Sequence, residues 1–176
     1  MPDILIRSGE LYIDKVRAIL DLDLDSGVIQ RLFPSCIDSD KFIMKRLIAS
    51  LIDIVPKLGE VIIDKDNLPD DRGIAALAFT YLIMPFDILP AEQYGVLGYL
   101  DDALVTYTLA AEMIEPDEAI VLLSTANQGD VADLMTKLPE WFTGAIRRFA
   151  SQIKDHRSIL HSPVSQMPRR RSYELF

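Results

Sequence analysis

The sequence predicts an all-α protein, a compact multi-helix bundle in which a Pro/Gly/Asp connector joins two central helices. Three observations carry this. Apolar residues recur at helical rather than alternating spacing along most of the chain. Glycines are few, 8 in 176 residues. Most of the 10 prolines stand at the edges of periodic segments, where helices start or stop. A chain of 176 residues that is 49% hydrophobic has the size and composition of a single globular domain. We place that domain at 1–153 and a basic, flexible tail at 154–176.

A first helix is expected over 3–20, where Leu5, Leu11, Ile13, Val16, Ile19 and Leu20 fall mainly at helical spacing. The run LDLDLDSG at 20–27 follows. Its D-x-D-x-D opening resembles a calcium loop, but position six is Ser26 rather than Gly and position twelve is Leu32 rather than Glu. An aspartate nucleophile on a parallel sheet is the other association, and no strand–helix alternation supports it. An acidic, helix-breaking turn is the simpler reading. Over 39–55, Phe42, Ile43, Leu47, Leu51, Ile52 and Val55 form one apolar stripe.

The next helix spans 67–84, with Asn67 as its N-cap and Pro69 in its first turn. Its body, GIAALAFTYLIM, is apolar on every face, as in a central helix or a membrane segment, and Pro85 stops it. Further helices are expected at 103–114, from Pro116 onward, at 129–137 and at 139–153.

Charge is unevenly divided. Met1 to Ile146 carries 11 Lys/Arg against 25 Asp/Glu; Arg147 to Phe176 carries 7 against 2. The acidic body repels phosphate backbones, so no nucleic-acid binding is expected of it. The N-terminus shows neither a signal nor a transit pattern, and the single Cys36 forms no internal disulfide. A reducing, cytoplasmic setting is expected, with Cys36 as a small buried residue. Both histidines, His156 and His161, lie in the tail, and no glycine-rich phosphate loop is present. Zinc hydrolases, imidazole bases and Ser-His-Asp triads therefore lack their residues.

The chemistry-bearing stretch is AFTYLIMPFDILPAEQYGVLGYLDDAL at 78–104. Tyr81, Pro85, Asp87, Ile88, Leu89, Pro90, Gly98, Asp101 and Asp102 resemble the signature of the YkvA-like family of bacterial helical domains of unknown function. The resemblance implies a helical fold and no established activity. Family members usually carry an acid directly after the second Pro; here Ala91 stands there, Glu92 follows, and the loop is one residue longer.

Gly73 to Met84 gives 12 uninterrupted apolar residues, about 18 Å of helix, against roughly 20 residues for a span. A second span would centre on Asp101 and Asp102, at about 2.5–3.5 kcal/mol each. Membrane association through 73–100, as a peripheral hairpin, is thus disfavoured.

For the acids two readings stand. In the first, Asp101 caps a helix beginning near Ala103, Asp102 sits in its first turn, and Asp87 caps a turn through Ile88 and Leu89. The second starts from charge: 64 residues between Arg72 and Lys137 contain ten acids and no Lys, Arg or His. If Asp87, Glu92, Asp101 and Asp102 converge, they require raised pKa values or a partner. That partner is Arg or Lys from the N-terminal helices, a basic protein segment, or Mg²⁺, Mn²⁺ or Ca²⁺, the ions that all-oxygen ligands select.

Two functions follow. A non-catalytic protein-interaction or regulatory module is preferred, its partner a protein or a second copy in a homo-oligomer, with Arg169, Arg170 and Arg171 of the tail available for docking. The alternative is a divalent-metal-dependent hydrolase using Asp87, Asp101 and Asp102, with Glu92 as base. The absence of a positioned histidine leans against an enzyme.

Overall fold

A computed structural model describes residues 2–84, 87–113 and 118–160, and among these every regular element is helical. Helix α1 (Pro2–Ile19) and α2 (Ser26–Leu32) flank the acidic turn, and α3 (Asp38–Ile63) is the longest. Then come α4 (Pro69–Ile83), the short α5 (Ala91–Tyr94), a 3₁₀ turn (Gly95–Tyr99), α6 (Leu100–Ala110), α7 (Glu118–Lys137) and α8 (Glu140–Leu160). Pro85 and Pro116, with residues 161–176, which include Arg169, Arg170 and Arg171, lie outside the described residues.

The acidic run folds as a turn, and its last member caps α2. Asp25 accepts from the N–H groups of Gly27 at 2.7 Å and Val28 at 3.2 Å, satisfying two donors that the helix start leaves open. Sequence periodicity did not show α2, which is only seven residues long. Helix α3 continues past the expected end at 55 and through Pro56. An interior proline costs about 3 kcal/mol. Here Ile54, Val55, Leu58 and Val61 are buried on either side of it, and each such side chain returns about 1.5–3 kcal/mol. Phe42 departs from its expected stripe: it is 71% exposed, with the Arg46 guanidinium 6.0 Å from its ring centre. The inner face runs instead through Asp40, Met44, Leu47, Ile48 and Leu51.

Asn67 does not cap α4. Leu68 occupies the cap position, Pro69 opens the helix as expected, and the Asn67 amide donates to the Val61 carbonyl at 3.4 Å across the α3–α4 turn. Nor is α4 buried all round: Leu77, Ile83 and Met84 are exposed on its outer side. The central helix is α6, where ten of eleven residues are buried. It packs against α3, α4, α7 and α8, while α1 lies against α3 and α4. Helix α7 forms one element through Gly129, where the sequence suggested two. Helix α8 runs to Leu160, seven residues beyond the expected end at 153, and its Phe142 packs on Phe33 at 5.2 Å between ring centres. Cys36 is buried, as expected.

Several acids of α3 and α7 are paired with cations. Asp130 of α7 pairs with Arg46 of α3. Lys137 reaches both Asp133 and the fully buried Asp40 at 2.7 Å. Burial alone would raise the Asp40 pKa, but the Ile37 N–H and Lys137 hold it below the usual carboxylate value. No helix among the described residues is long and apolar enough to cross a membrane.

Candidate functional site

The connector is shaped by its prolines and glycines. Pro90 precedes α5, and its carbonyl accepts from Gln93 and Tyr94 at 2.9 and 3.1 Å. Gly95 then turns the chain at φ 56°, ψ −129°, a conformation that side chains resist. At Gly98 the constraint is space: a Cβ there would lie 2.4 Å from the Ala91 Cα and 3.0 Å from the Leu89 carbonyl oxygen. This close approach folds the connector flat and delivers the chain into α6.

Neither aspartate of the pair caps α6. The helix begins at Leu100 with Tyr99 at the cap position, so Asp101 and Asp102 both fall in the first turn. Both are buried, Asp101 fully and Asp102 to 4% exposure. Away from water, each carboxylate takes donors from other parts of the fold. Asp101 Oδ2 accepts the Tyr81 hydroxyl at 2.8 Å and the N–H groups of Ile88 at 2.7 Å and Leu89 at 3.4 Å. Asp101 thus takes the turn donors that Asp87 was expected to cap. Asp102 Oδ2 accepts the Tyr12 hydroxyl at 2.6 Å. The second oxygen of each, Oδ1, has no hydrogen-bond partner.

Magnitudes separate the two carboxylates. A hydrogen bond to a charged group contributes about 1.5–3 kcal/mol, and burying an ion costs several. Three donors on Asp101 largely offset that cost; one donor on Asp102 does not. Burial raises the Asp101 pKa to about 6, with Tyr81, Ile88 and Leu89 restraining it and the nearby Asp87 adding to it. Asp102 is raised as well, by burial first and then by the Asp101 charge. Tyr12 and Tyr81 are both raised by burial and by the carboxylate each faces, so they remain hydroxyl donors at neutral pH.

Beside the pair opens a cleft of about 280 Å³, walled by α1, the end of α4, the connector and the start of α6. Asp87, Glu92 and Asp102 line it, with Tyr12, Tyr99 and Lys15. Burial and then the Glu92 charge push the Asp87 pKa up, while Lys15 draws it down. The expected convergence is therefore partial. The four acids share one neighbourhood, but Asp101 faces away into the connector backbone. Among the described residues no group of three or more His, Cys, Asp or Glu side chains is arranged to hold a metal ion. Arg72 does not serve the acids; its Nε donates to the Ile62 carbonyl at 3.2 Å. An apolar cavity of about 410 Å³ lies on the other side of Tyr81, between α4 and α8, with Leu77, Ile88 and Phe149 in its walls.

Sequence reasoning found Tyr81, Pro90, Gly98 and the four acids, and missed Tyr12, Lys15, Gly95 and Tyr99. Tyr12 sits on an apolar face of α1, ninety residues from its partner, and nothing local marks it. No curated protein and no solved structure matches the chain. The resemblance read from the motif is borne out over its own segment: residues 71–107, from the first turn of α4 through the connector to Tyr107 of α6, match the family described as "Protein of unknown function (DUF1232)".

Proposed function

We propose that this domain is a non-catalytic protein-interaction module that receives a positively charged group of a partner protein in the cleft between α1, the connector and α6. The observation that supports it most is the cleft lining, where Asp87, Glu92 and Asp102 outnumber Lys15, its one basic residue among those described. The same lining holds neither His nor Cys, and the paired aspartates are engaged by tyrosines rather than poised around a reacting atom. Charge complementarity of this kind steers and selects partners.

The test is calorimetric titration of a basic, apolar-flanked peptide into the wild type and the Asp87→Asn/Glu92→Gln variant. Saturable binding to the wild type, lost in the variant, is expected; equal binding to both removes the cleft from the reading. The tail offers a second source of positive charge in Arg169, Arg170 and Arg171, from the same or a neighbouring copy. Removing 162–176 and measuring mass in solution tests tail docking between copies: fewer subunits per particle support it, an unchanged subunit number opposes it. Flotation with liposomes tests the membrane alternative, and recovery entirely in the soluble fraction is expected.

A further inference from the structure

We propose that the cleft is built for a primary alkylammonium group, so that the residue it takes from a partner is a lysine. This rests on the interaction reading above and names the chemistry that the partner must present.

Four features of the cleft point the same way. The first is an oxygen that lacks a partner: Asp102 is 4% exposed, it lines the cleft, and its Oδ1 accepts no hydrogen bond. Such an atom is costly to leave unmatched, and a donor entering the cleft would satisfy it. Second, Asp87 and Glu92 come from separate elements, the connector and α5, so the negative charge surrounds the cleft rather than forming one fork. Third, the Tyr12 and Tyr99 rings meet edge to face at 6.0 Å in the same lining, and aromatic faces attract cations. Fourth, the mouth is apolar. Leu11, Ile83 and Met84 line the cleft and are 58%, 49% and 45% exposed. A bare ion leaves those side chains in water; a chain of methylenes covers them.

Geometry favours lysine over arginine. Guanidinium recognition relies on both oxygens of one carboxylate in a planar fork. At Asp102 only Oδ1 lacks a hydrogen-bond partner, because Oδ2 is held by Tyr12. An ammonium carries three donors on a compact head, which suits single oxygens approaching from different elements. Volume agrees: about 280 Å³ falls just under the roughly 300–1,000 Å³ of small-molecule pockets and accommodates one side chain. Lys15 is exposed and its charge reaches Asp87, so it acts as a resident counter-ion that an incoming lysine competes with.

The experiment uses the full chain and four neutral, apolar-flanked pentapeptides identical except at the centre, which is Lys, Arg, norleucine or Glu. Amide NMR titration reads binding into the millimolar range. The lysine peptide is expected to give saturable shifts at Tyr12, Gly98 and Tyr99, and to bind about tenfold more tightly than the arginine or norleucine peptides. Asp87→Asn is expected to weaken it about tenfold, and Lys15→Gln to strengthen it severalfold. Equal binding of lysine and norleucine peptides overturns the proposal, as does a Lys15→Gln variant that binds less tightly. Tighter binding of the arginine peptide, lost in Asp87→Asn/Glu92→Gln, also overturns it while leaving the interaction reading standing. If no peptide binds and the basic peptide above fails too, both readings fall.

Discussion

The Tyr12 hydroxyl donates to Asp102 Oδ2 at 2.6 Å, joining α1 to the first turn of α6 across ninety residues of sequence. On the adjacent residue, Tyr81 of α4 makes the matching bond to Asp101. Two outer helices and the connector are thereby fastened to the central helix through one pair of buried acids. Tyr12→Phe is expected to cost about 1–3 kcal/mol, since it leaves a buried carboxylate without its donor. In a double-mutant cycle with Asp102→Ala, chemical denaturation should show a coupling of about 1 kcal/mol or more. Additive effects would separate the two residues.

A pH dependence follows from Asp101. Its folded pKa of about 6 lies above the unfolded value near 3.8, so the native state binds more protons between those limits and stability falls as pH rises through them. Asp102, also raised, works in the same sense. Asp40 works in the opposite sense: its lowered pKa gives stability that is present above the unfolded value and lost only as pH falls below it. Asp101→Asn keeps an acceptor for Tyr81, Ile88 and Leu89 and carries no charge. Its deficit against the wild type should therefore shrink from pH 4 to pH 7 in urea unfolding. A deficit that grows over this range would contradict the assignment.

Gly98→Ala brings a methyl against the Ala91 backbone, which has no flexible end to yield. The connector must open, at a cost of about 3 kcal/mol, the upper part of the range for overpacking. Gly95→Ala, strained by its positive φ rather than by crowding, should cost about 1–3 kcal/mol. Thermal unfolding reads both costs, and a neutral Gly98→Ala would mean that the close approach is not needed.

Titration with Mg²⁺, Mn²⁺ or Ca²⁺ is expected to give no saturable heat up to millimolar metal. Asp101 spends one oxygen on three donors, and Asp102 spends one on Tyr12. Saturable binding abolished by Asp101→Asn would restore the hydrolase alternative.

Much of this was legible in the chain, and the limits were physical. Helical spacing, Pro69 and the proline-bounded connector gave the fold class and the element carrying the site. What periodicity could not supply was direction. Asp101 and Asp102 look like helix-start residues, and they are; yet their side chains answer the Ile88 and Leu89 backbone and the Tyr12 hydroxyl, partners that only tertiary packing brings near. GIAALAFTYLIM read as a central helix because composition does not say which side another helix will cover, and α6 takes that place instead. Gly98 could be singled out by motif, whereas the need for Gly95 appears only once φ is known.

Binding should itself depend on pH. A cation in the cleft favours the ionised forms of Asp87 and Asp102, whose pKa values are raised. Tyr12 and Lys15 of α1, Glu92 of α5, Tyr99 and Asp101 are the other titratable groups around them. Affinity for a basic peptide is expected to rise with pH above the ordinary carboxylate range, where exposed carboxylates are already ionised. Affinity flat there would place the peptide elsewhere.

The most direct test is thermal unfolding of the wild type and of Asp87→Asn/Glu92→Gln, each with and without a saturating basic, apolar-flanked peptide. A ligand that binds only the folded state raises the midpoint. The wild type should shift upward with peptide, and the variant should show no shift with it. An equal shift in both proteins, or none in the wild type, would contradict the account.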